Sequence, residues 1–131
     1  MLVSPSTDIA LNNPTGPFNN LGVPGAKSFH FVAPGYGNIV NFPVAANPYA
    51  VRMTGSTPDA TLAELAAAQG PSFFTLSEFG GNDVLGYATS GGDGSNPITD
   101  TGTFDFTLAA TLDALTANGA KGAIGNVPNI T

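Results

Sequence analysis

The sequence predicts an α/β fold, a three-layer sandwich in which helices cover both faces of a parallel sheet. An aromatic-rich run of strand length at Ser72–Phe79 is followed by a polar loop at 89–100 and by a helical pattern at Thr103–Asn118. A second short apolar segment, Lys121–Val127, comes next. Strand, loop, helix and strand within about 55 residues form a βαβ unit, which implies two parallel strands and a right-handed crossover.

The stretch Pro71–Gly86 is the one around which we expect the chain to be organised. Its apolar strand ends in Gly80 and Gly81, which lead at once into Asn82. Glycine suits such a turn because it tolerates positive φ and close approach of a ligand. Parallel α/β proteins bind ligands at this end of their strands. Asn82 would therefore present an uncharged amide donor where an enzyme stabilises an oxyanion.

The amino-terminal part predicts little regular structure. Residues 1–24 are rich in proline and asparagine, which favour an extended loop. Residues 26–33 predict a helix of about two turns that starts at Gly25 and is ended by a proline, with a short strand as the alternative. The stretch 34–57 predicts a long loop, and loops of that length often form lids or binding segments.

Two helices carry clear signals. The first is expected to open at Thr57-Pro58-Asp59 and to end at Gly70, with a buried stripe of Leu62, Leu65 and Ala66. The second, at Thr103–Asn118, has its apolar face at Phe104, Leu108, Leu112 and Leu115, followed by Gly119 at the C′ position.

Composition limits the possible partners. The chain of 131 residues suits a single domain or part of one, is 42% apolar, and carries a net charge of −6 with only 9% charged residues. Nucleic acids and anionic membranes are disfavoured as partners, because binding them relies on basic patches. Without cysteine there is no disulfide, thiolate metal site or cysteine nucleophile. We predict no cofactor.

The sequence also bears on location. No apolar run approaches the roughly 18 residues of a membrane span, and the amino end lacks a signal peptide. The composition, rich in Asn, Thr and Gly and poor in Lys, is common in exported bacterial proteins. We therefore expect a secreted or cell-envelope protein whose signal lies outside this chain.

Two blocks, Asn20–Gly25 and Gly80–Asp83, together resemble the second and third conserved blocks of the SGNH (GDSL-like) hydrolases. The longer strings 17–28 and 82–94 look like a lipoprotein-type subgroup of Bacteroidetes-like bacteria, and the likeness covers most of residues 16–131. The resemblance implies a flavodoxin-like three-layer fold and hydrolysis of carboxylic esters, either lipid or acetyl-sugar or similar, through an acyl-serine. We treat residues 1–131 as one partial domain, with 1–24 as loop and 25–131 as the α/β portion.

The resemblance also implies roles for single residues. The backbone N–H of Gly25 and the side chain of Asn82 would be the oxyanion donors, while Asp83, Gly80 and Gly81 would be structural. The family's nucleophile lies in a Gly-Asp-Ser block and its base in an Asp-x-x-His block, and neither block occurs in this chain. We therefore expect a central fragment that carries an oxyanion hole without nucleophile or base.

Each of these residues has a simpler interpretation. Gly25 at a helix start would direct an unsatisfied N–H outward with the helix dipole behind it, but it could equally be a turn glycine, as could Gly80 and Gly81. Asn82 could be an ordinary cap for the segment that begins at Asp83. His30, the only histidine, is a conceivable base, although a packed or solvent-facing side chain is the simpler expectation.

Other polar clusters favour structural interpretations. The stretch Asp93–Asn96 together with Asp100 could suggest calcium, but the spacing departs from the EF-hand pattern and favours a solvated turn. We predict no metal site. Asp105 and Asp113 are expected on the polar face of the second helix. Phe73 and Phe74 should point to opposite faces of their strand, each buried against a helix layer.

Glu78 departs from the pattern, because a parallel strand should stay apolar on both faces. It would lie at the open rim of the sheet or mark a locally altered sequence.

Two functions from different classes follow. The first is a fragment of a serine ester hydrolase whose loops 34–57 and 89–100 shape the acyl pocket and whose substrate is an ester or lipid-like molecule. The second is a non-catalytic secreted or surface module for structure or binding. In the family that the chain resembles, the nucleophile block lies on the first strand of the sheet. A sheet without that strand would have an open edge, so we expect self-association or pairing with missing flanking segments.

Overall fold

The computed structural model describes residues 16–130, and all structural statements concern these residues. Over these residues the chain forms four α-helices, two 3-10 helices and two strands. The 3-10 helices are Ser28–Val32 and Ile39–Asn41; the α-helices are α1 (Pro48–Thr54), α2 (Leu62–Ala68), α3 (Gly81–Thr89) and α4 (Thr101–Thr116); the strands are β1 (Phe73–Leu76) and β2 (Lys121–Ile124).

The two strands pair in parallel, which confirms the α/β prediction at the level of a mixed fold with a parallel sheet. Phe73 lies opposite Lys121, and Leu76 lies opposite Ile124. The connection between the strands contains α3 and α4. Both strands are shorter than predicted, four residues each, and a two-stranded sheet is too small to establish a three-layer sandwich.

The sheet is not covered on both faces, which corrects the expectation for its phenylalanines. Phe73 is 59% exposed, whereas Phe74 is half-buried, with its ring lying where a side chain at Gly122 would stand. The helices pack mainly against one another and against the first 3-10 helix, so they leave the face of Phe73 open.

The apolar core lies around the first 3-10 helix instead of the sheet. Its buried members are Val23, Ala26, Tyr36, Ala50 and Leu62, and Phe31, Ala33, Tyr49, Met53 and Leu65 pack against them. Of the predicted stripe of α2, Leu62 is buried and Leu65 packs against the same cluster. The segment that contains Gly25 is therefore anchored on both sides by buried side chains.

The predicted loop at 34–57 contains two helices, so that prediction is wrong. Helix α1 begins after Asn47, whose side chain accepts a hydrogen bond from the Tyr49 N–H at 2.9 Å, with Pro48 at the first helical position. Asparagine followed by proline is a helix-start signal that the sequence contains. The buried Thr54 hydroxyl then donates to the Gly37 carbonyl at 2.8 Å and fixes the end of α1.

Helix α2 begins four residues later than the sequence predicts. Thr61 and Glu64 form a reciprocal capping box, with hydrogen bonds of 3.1 and 2.8 Å. Thr57 instead turns back onto the preceding helix, donating its hydroxyl to the Thr54 carbonyl at 2.8 Å. The capping box satisfies two backbone groups at once, so it defines the start of the helix better than Pro58 does.

Of the four residues predicted for the apolar face of α4, only Leu115 is buried. Thr107, Thr111 and Leu115 are its buried residues, whereas Phe104, Leu108 and Leu112 are only half-buried. The face turned toward α2 and the first 3-10 helix is therefore lined mostly by threonine. Small side chains let helices approach closely, which apolar periodicity alone does not reveal.

Asp105 and Asp113 are exposed on α4, as a polar face requires. Within residues 16–130, no helix has the length and apolar character needed to cross a membrane.

Candidate functional site

The segments that contain the two predicted blocks are joined by a hydrogen bond. The Asn82 side-chain amide donates to the Ala26 carbonyl at 2.9 Å, joining residues 56 positions apart in the chain. Asn82 is the second residue of α3 and does not cap it, because Gly80 occupies the N-cap position with φ 94°. The amide is thereby held beside the residue that follows Gly25.

Gly25 lies in a turn before the 3-10 helix. The Ala26 N–H closes this turn on the Val23 carbonyl at 3.1 Å, and Gly25 takes φ 79° after Pro24. A helix does form within the predicted stretch 26–33, but it is a 3-10 helix that starts only at Ser28. The predicted start at Gly25 is therefore wrong, and no helix dipole supports the Gly25 N–H. The short-strand alternative is not observed either. No described residue accepts a hydrogen bond from the Gly25 N–H.

A buried pair locks the same two segments together. Asp83 accepts hydrogen bonds from the Ser28 N–H at 2.8 Å and from its hydroxyl at 2.7 Å. Ser28 is 1% exposed and Asp83 is 3% exposed. Because water does not reach them, removing one side chain would leave the polar groups of the other without a hydrogen-bond partner. Together with the Asn82 bond, this pair fixes the segment of Gly25 and Ala26 against the start of α3.

Ser28, His30 and Asp83 are the residue types of a catalytic triad, but their connections do not form one. The Ser28 hydroxyl donates to Asp83 and not to the imidazole. His30 Nδ1 instead accepts from the Lys27 N–H at 2.9 Å. A serine nucleophile needs a base within hydrogen-bond reach and access to substrate, and buried Ser28 has neither.

His30 is held as a neutral ring. It is half-buried, stacks on Tyr36 with ring centroids 4.3 Å apart and 5° between planes, and lies 4.4 Å from the Phe29 ring. Burial lowers the pKa of His30 below its ordinary value of 6.5, the Asp83 carboxylate opposes this, and Lys27 adds to it. An Nδ1 that accepts a hydrogen bond also requires the unprotonated imidazole.

Acid should therefore loosen this segment. Because the pKa of His30 is lower in the folded state, the unfolded chain binds more protons, and the free energy of unfolding falls as pH drops below 6.5 toward the folded pKa. Replacing His30 by asparagine keeps an acceptor near the Nδ1 position without a titrating group. Urea unfolding at pH 7.5 and 5.5 should show a larger loss for the wild type than for His30→Asn; equal losses would contradict this account.

The turn before α3 carries backbone strain. Glu78 is exposed and adopts φ 57°, a left-handed conformation that costs most residues about 1–2 kcal/mol. The Gly81 N–H closes the turn on the Glu78 carbonyl at 2.9 Å. Phe79 is buried between the rings of Phe31 and Phe104, with centroid distances of 5.3 and 6.1 Å. This aromatic anchor sets where α3 begins and hence where Asn82 points.

The polar loop at 89–100 is stabilised by local hydrogen bonds. Asp93 accepts from the Ser95 N–H and hydroxyl, and Asp100 caps α4 by accepting from Thr103. These hydrogen bonds lower the pKa of both carboxyl groups. Among residues 16–130, no three His, Asp or Glu side chains are grouped so that they could hold a metal ion.

Sequence patterns identified Gly25, Asn82 and Asp83 but not the partners that hold them. Ser28 and the Ala26 carbonyl were missed because their contacts with α3 span 55 and 56 positions. Ala26-Lys27-Ser28 contains no motif that would have signalled them.

Comparisons of the chain with protein-family models, with curated proteins and with solved structures found no match. What the chain does must therefore be inferred from its own residues.

Proposed function

We propose that this chain carries the oxyanion-binding corner of a serine ester hydrolase. In this proposal the Gly25 N–H and the Asn82 amide bind the negative oxygen of a tetrahedral intermediate. The nucleophile and the base come from outside residues 16–130. The single observation that carries the proposal is the hydrogen bond from the Asn82 amide to Ala26, the residue next to Gly25.

The donor chemistry supports this assignment. A carboxamide has two N–H groups, and the bond to Ala26 uses one of them. The Gly25 N–H has no acceptor among the described residues, and Gly25 is an exposed residue. One neutral oxyanion donor is typically worth about 3–4 kcal/mol of the reaction barrier.

In the proposed reaction, the two donors have a different role from the nucleophile and the base. A serine oxygen attacks the ester carbonyl while a base takes its proton, and the carbonyl oxygen becomes an oxyanion. Collapse breaks the bond to the alcohol, which leaves with the proton, and water later releases the acid from the acyl-serine. The described residues would stabilise only the two oxyanions.

Titration of the ¹⁵N-labelled chain with methylphosphonate, a small tetrahedral anion, tests the proposal. We expect chemical-shift changes at the Gly25 backbone amide and the Asn82 side-chain amide, lost in Asn82→Ala and kept in Asn118→Ala, which alters an exposed asparagine. Wild-type spectra in which neither amide responds would overturn the proposal. A fluorophosphonate serine probe should leave the chain unlabelled.

Exposed apolar side chains favour a second candidate, a non-catalytic surface module. Val44 is 94% exposed, Val40 79% and Phe106 69%. Such a module would associate with itself or a partner and would not bind methylphosphonate. Elution as a well-folded monomer in size-exclusion chromatography would count against self-association.

A further inference from the structure

Strand β2 is the more exposed of the two strands. All four of its residues are exposed, whereas the residues of β1 alternate between exposed and half-buried. Within residues 16–130, β1 is the only strand that pairs with it. Because a pair of strands is marginally stable alone in water, a further strand beside β2 would stabilise the sheet.

The hydrogen bonds to β1 determine which backbone groups of β2 point outward. The Lys121 N–H donates to the Ser72 carbonyl at 3.1 Å, so Lys121 and every second residue after it face β1. The N–H and carbonyl groups of Gly122 and Ile124 therefore point away from β1. This outer edge presents two donors and two acceptors to a further strand.

The outer edge of β2 is complementary to itself in the antiparallel direction. A twofold axis beside Ala123 places Gly122 of each copy opposite Ile124 of the other. Each of these pairs exchanges two N–H···O bonds, so four hydrogen bonds form. Ala123 then lies opposite Ala123 of the other copy in a closely spaced pair that makes no hydrogen bonds, where a small side chain fits.

The glycine in β2 gives this pairing an apolar contact. Gly122 pairs with Phe74 in the sheet, and the Phe74 ring occupies the place where a β-carbon at Gly122 would stand. Ile124, two residues further on the same face, is 45% exposed. Ile124 of the second copy would lie opposite Gly122 and hence beside the Phe74 ring, so pairing removes apolar surface of both side chains from water.

The register avoids a direct clash of like charges. The chain carries a net charge of −6, but Lys121 is the only charged residue from 119 to 130. It would lie opposite Gly125 of the second copy, so the two lysines do not face each other. The outer edge of β1 is less accessible, because Phe74 and Leu76 are half-buried.

We infer that a second copy of this chain pairs antiparallel with β2 along its outer edge, which gives one four-stranded sheet across the two copies. The inference does not depend on the hydrolase proposal, because it uses neither Gly25 nor Asn82. Strands of four residues bury little surface, so the dimer is weak and its population rises with protein concentration.

Sedimentation velocity at increasing protein concentration measures the dissociation constant of the dimer. Ile124→Pro removes an outward donor without removing a bond to β1, which is where an edge strand tolerates proline. It should raise the dissociation constant about tenfold, because two of the four hydrogen bonds are lost. Thr75→Pro makes the same change on the outer edge of β1 and should leave the constant unchanged; circular dichroism checks the fold of both variants.

A charge exchange at Ala123 tests the twofold register through exposed side chains alone. Ala123→Lys and Ala123→Glu each place like charges opposite one another and should each raise the dissociation constant about threefold. An equimolar mixture of the two variants should associate at least as tightly as the wild type, since opposite charges then face each other.

Three results would overturn the inference. They are a wild-type chain that stays monomeric at every concentration, equal effects of Ile124→Pro and Thr75→Pro, and a mixture of the Ala123 variants that associates no better than either variant alone. If the monomer also protects the Gly122 and Ile124 amides from hydrogen exchange, another part of the same chain covers the edge instead of a second copy.

Discussion

Replacing Gly80 by alanine is expected to destabilise the protein by about 3 kcal/mol. Gly80 adopts φ 94°, and a β-carbon there would lie 2.7 Å from Phe104 Cε2 and 2.8 Å from Val127 Cγ2. The left-handed backbone costs about 1–2 kcal/mol for alanine, and crowding of a packed site adds about 1–3 kcal/mol. Urea unfolding monitored by circular dichroism measures the difference.

Gly119 provides a matched control for this substitution. It adopts φ 83°, but a β-carbon there would meet nothing within 4 Å. Gly119→Ala should therefore cost only the backbone contribution, about 1–2 kcal/mol. Equal losses for Gly80→Ala and Gly119→Ala would show that the aromatic packing around the start of α3 is not as described.

Replacing Asp83 by alanine is expected to cost about 3 kcal/mol of stability. The change leaves the Ser28 N–H and hydroxyl buried without their acceptor, and each unsatisfied buried group costs about 1–3 kcal/mol. Because this pair also holds the Gly25 segment against α3, the Ala26 amide, which donates to the Val23 carbonyl, should exchange its hydrogen faster in the variant. Denaturant unfolding and hydrogen exchange measure the two effects.

A double-mutant cycle separates this pair from a general effect of removing a carboxylate. Ser28→Ala with Asp83→Ala should cost less than the sum of the single changes, by about 1 kcal/mol or more, because the residues are in direct contact. Asp105→Ala removes an exposed carboxylate and should alter stability by less than about 0.5 kcal/mol. Additive costs would indicate that the two side chains do not interact.

Local sequence patterns predicted which helices and strands exist better than the residues at which they begin and end. The existence of α2 and α4 follows from apolar periodicity, which is a property of neighbouring residues. The parallel pairing of β1 and β2 follows from the order strand, helix, strand along the chain. The start of α2 was misplaced because two capping signals compete there, and the box formed by Thr61 and Glu64 prevails. Helix α1 was missed although Asn47 and Pro48 signal its start.

The burial of individual side chains was predicted less well than the secondary structure. Amphipathic spacing placed Leu108 and Leu112 on the core side of α4, whereas Thr107 and Thr111 are the buried residues. Phe73 belongs to a strand but remains 59% exposed. In each case the outcome depends on which element packs against the face, and periodicity within one element carries no information about its neighbours.

The sequence by itself determined the candidate donors Gly25 and Asn82, the carboxylate Asp83, and the glycine turn that precedes α3. Only the tertiary structure decided that Asn82 reaches Ala26 and that Asp83 takes both donors of Ser28. Turns and caps are set by residues adjacent in the chain, whereas these contacts join segments more than 50 positions apart. Their geometry exists only after the core has brought both segments together.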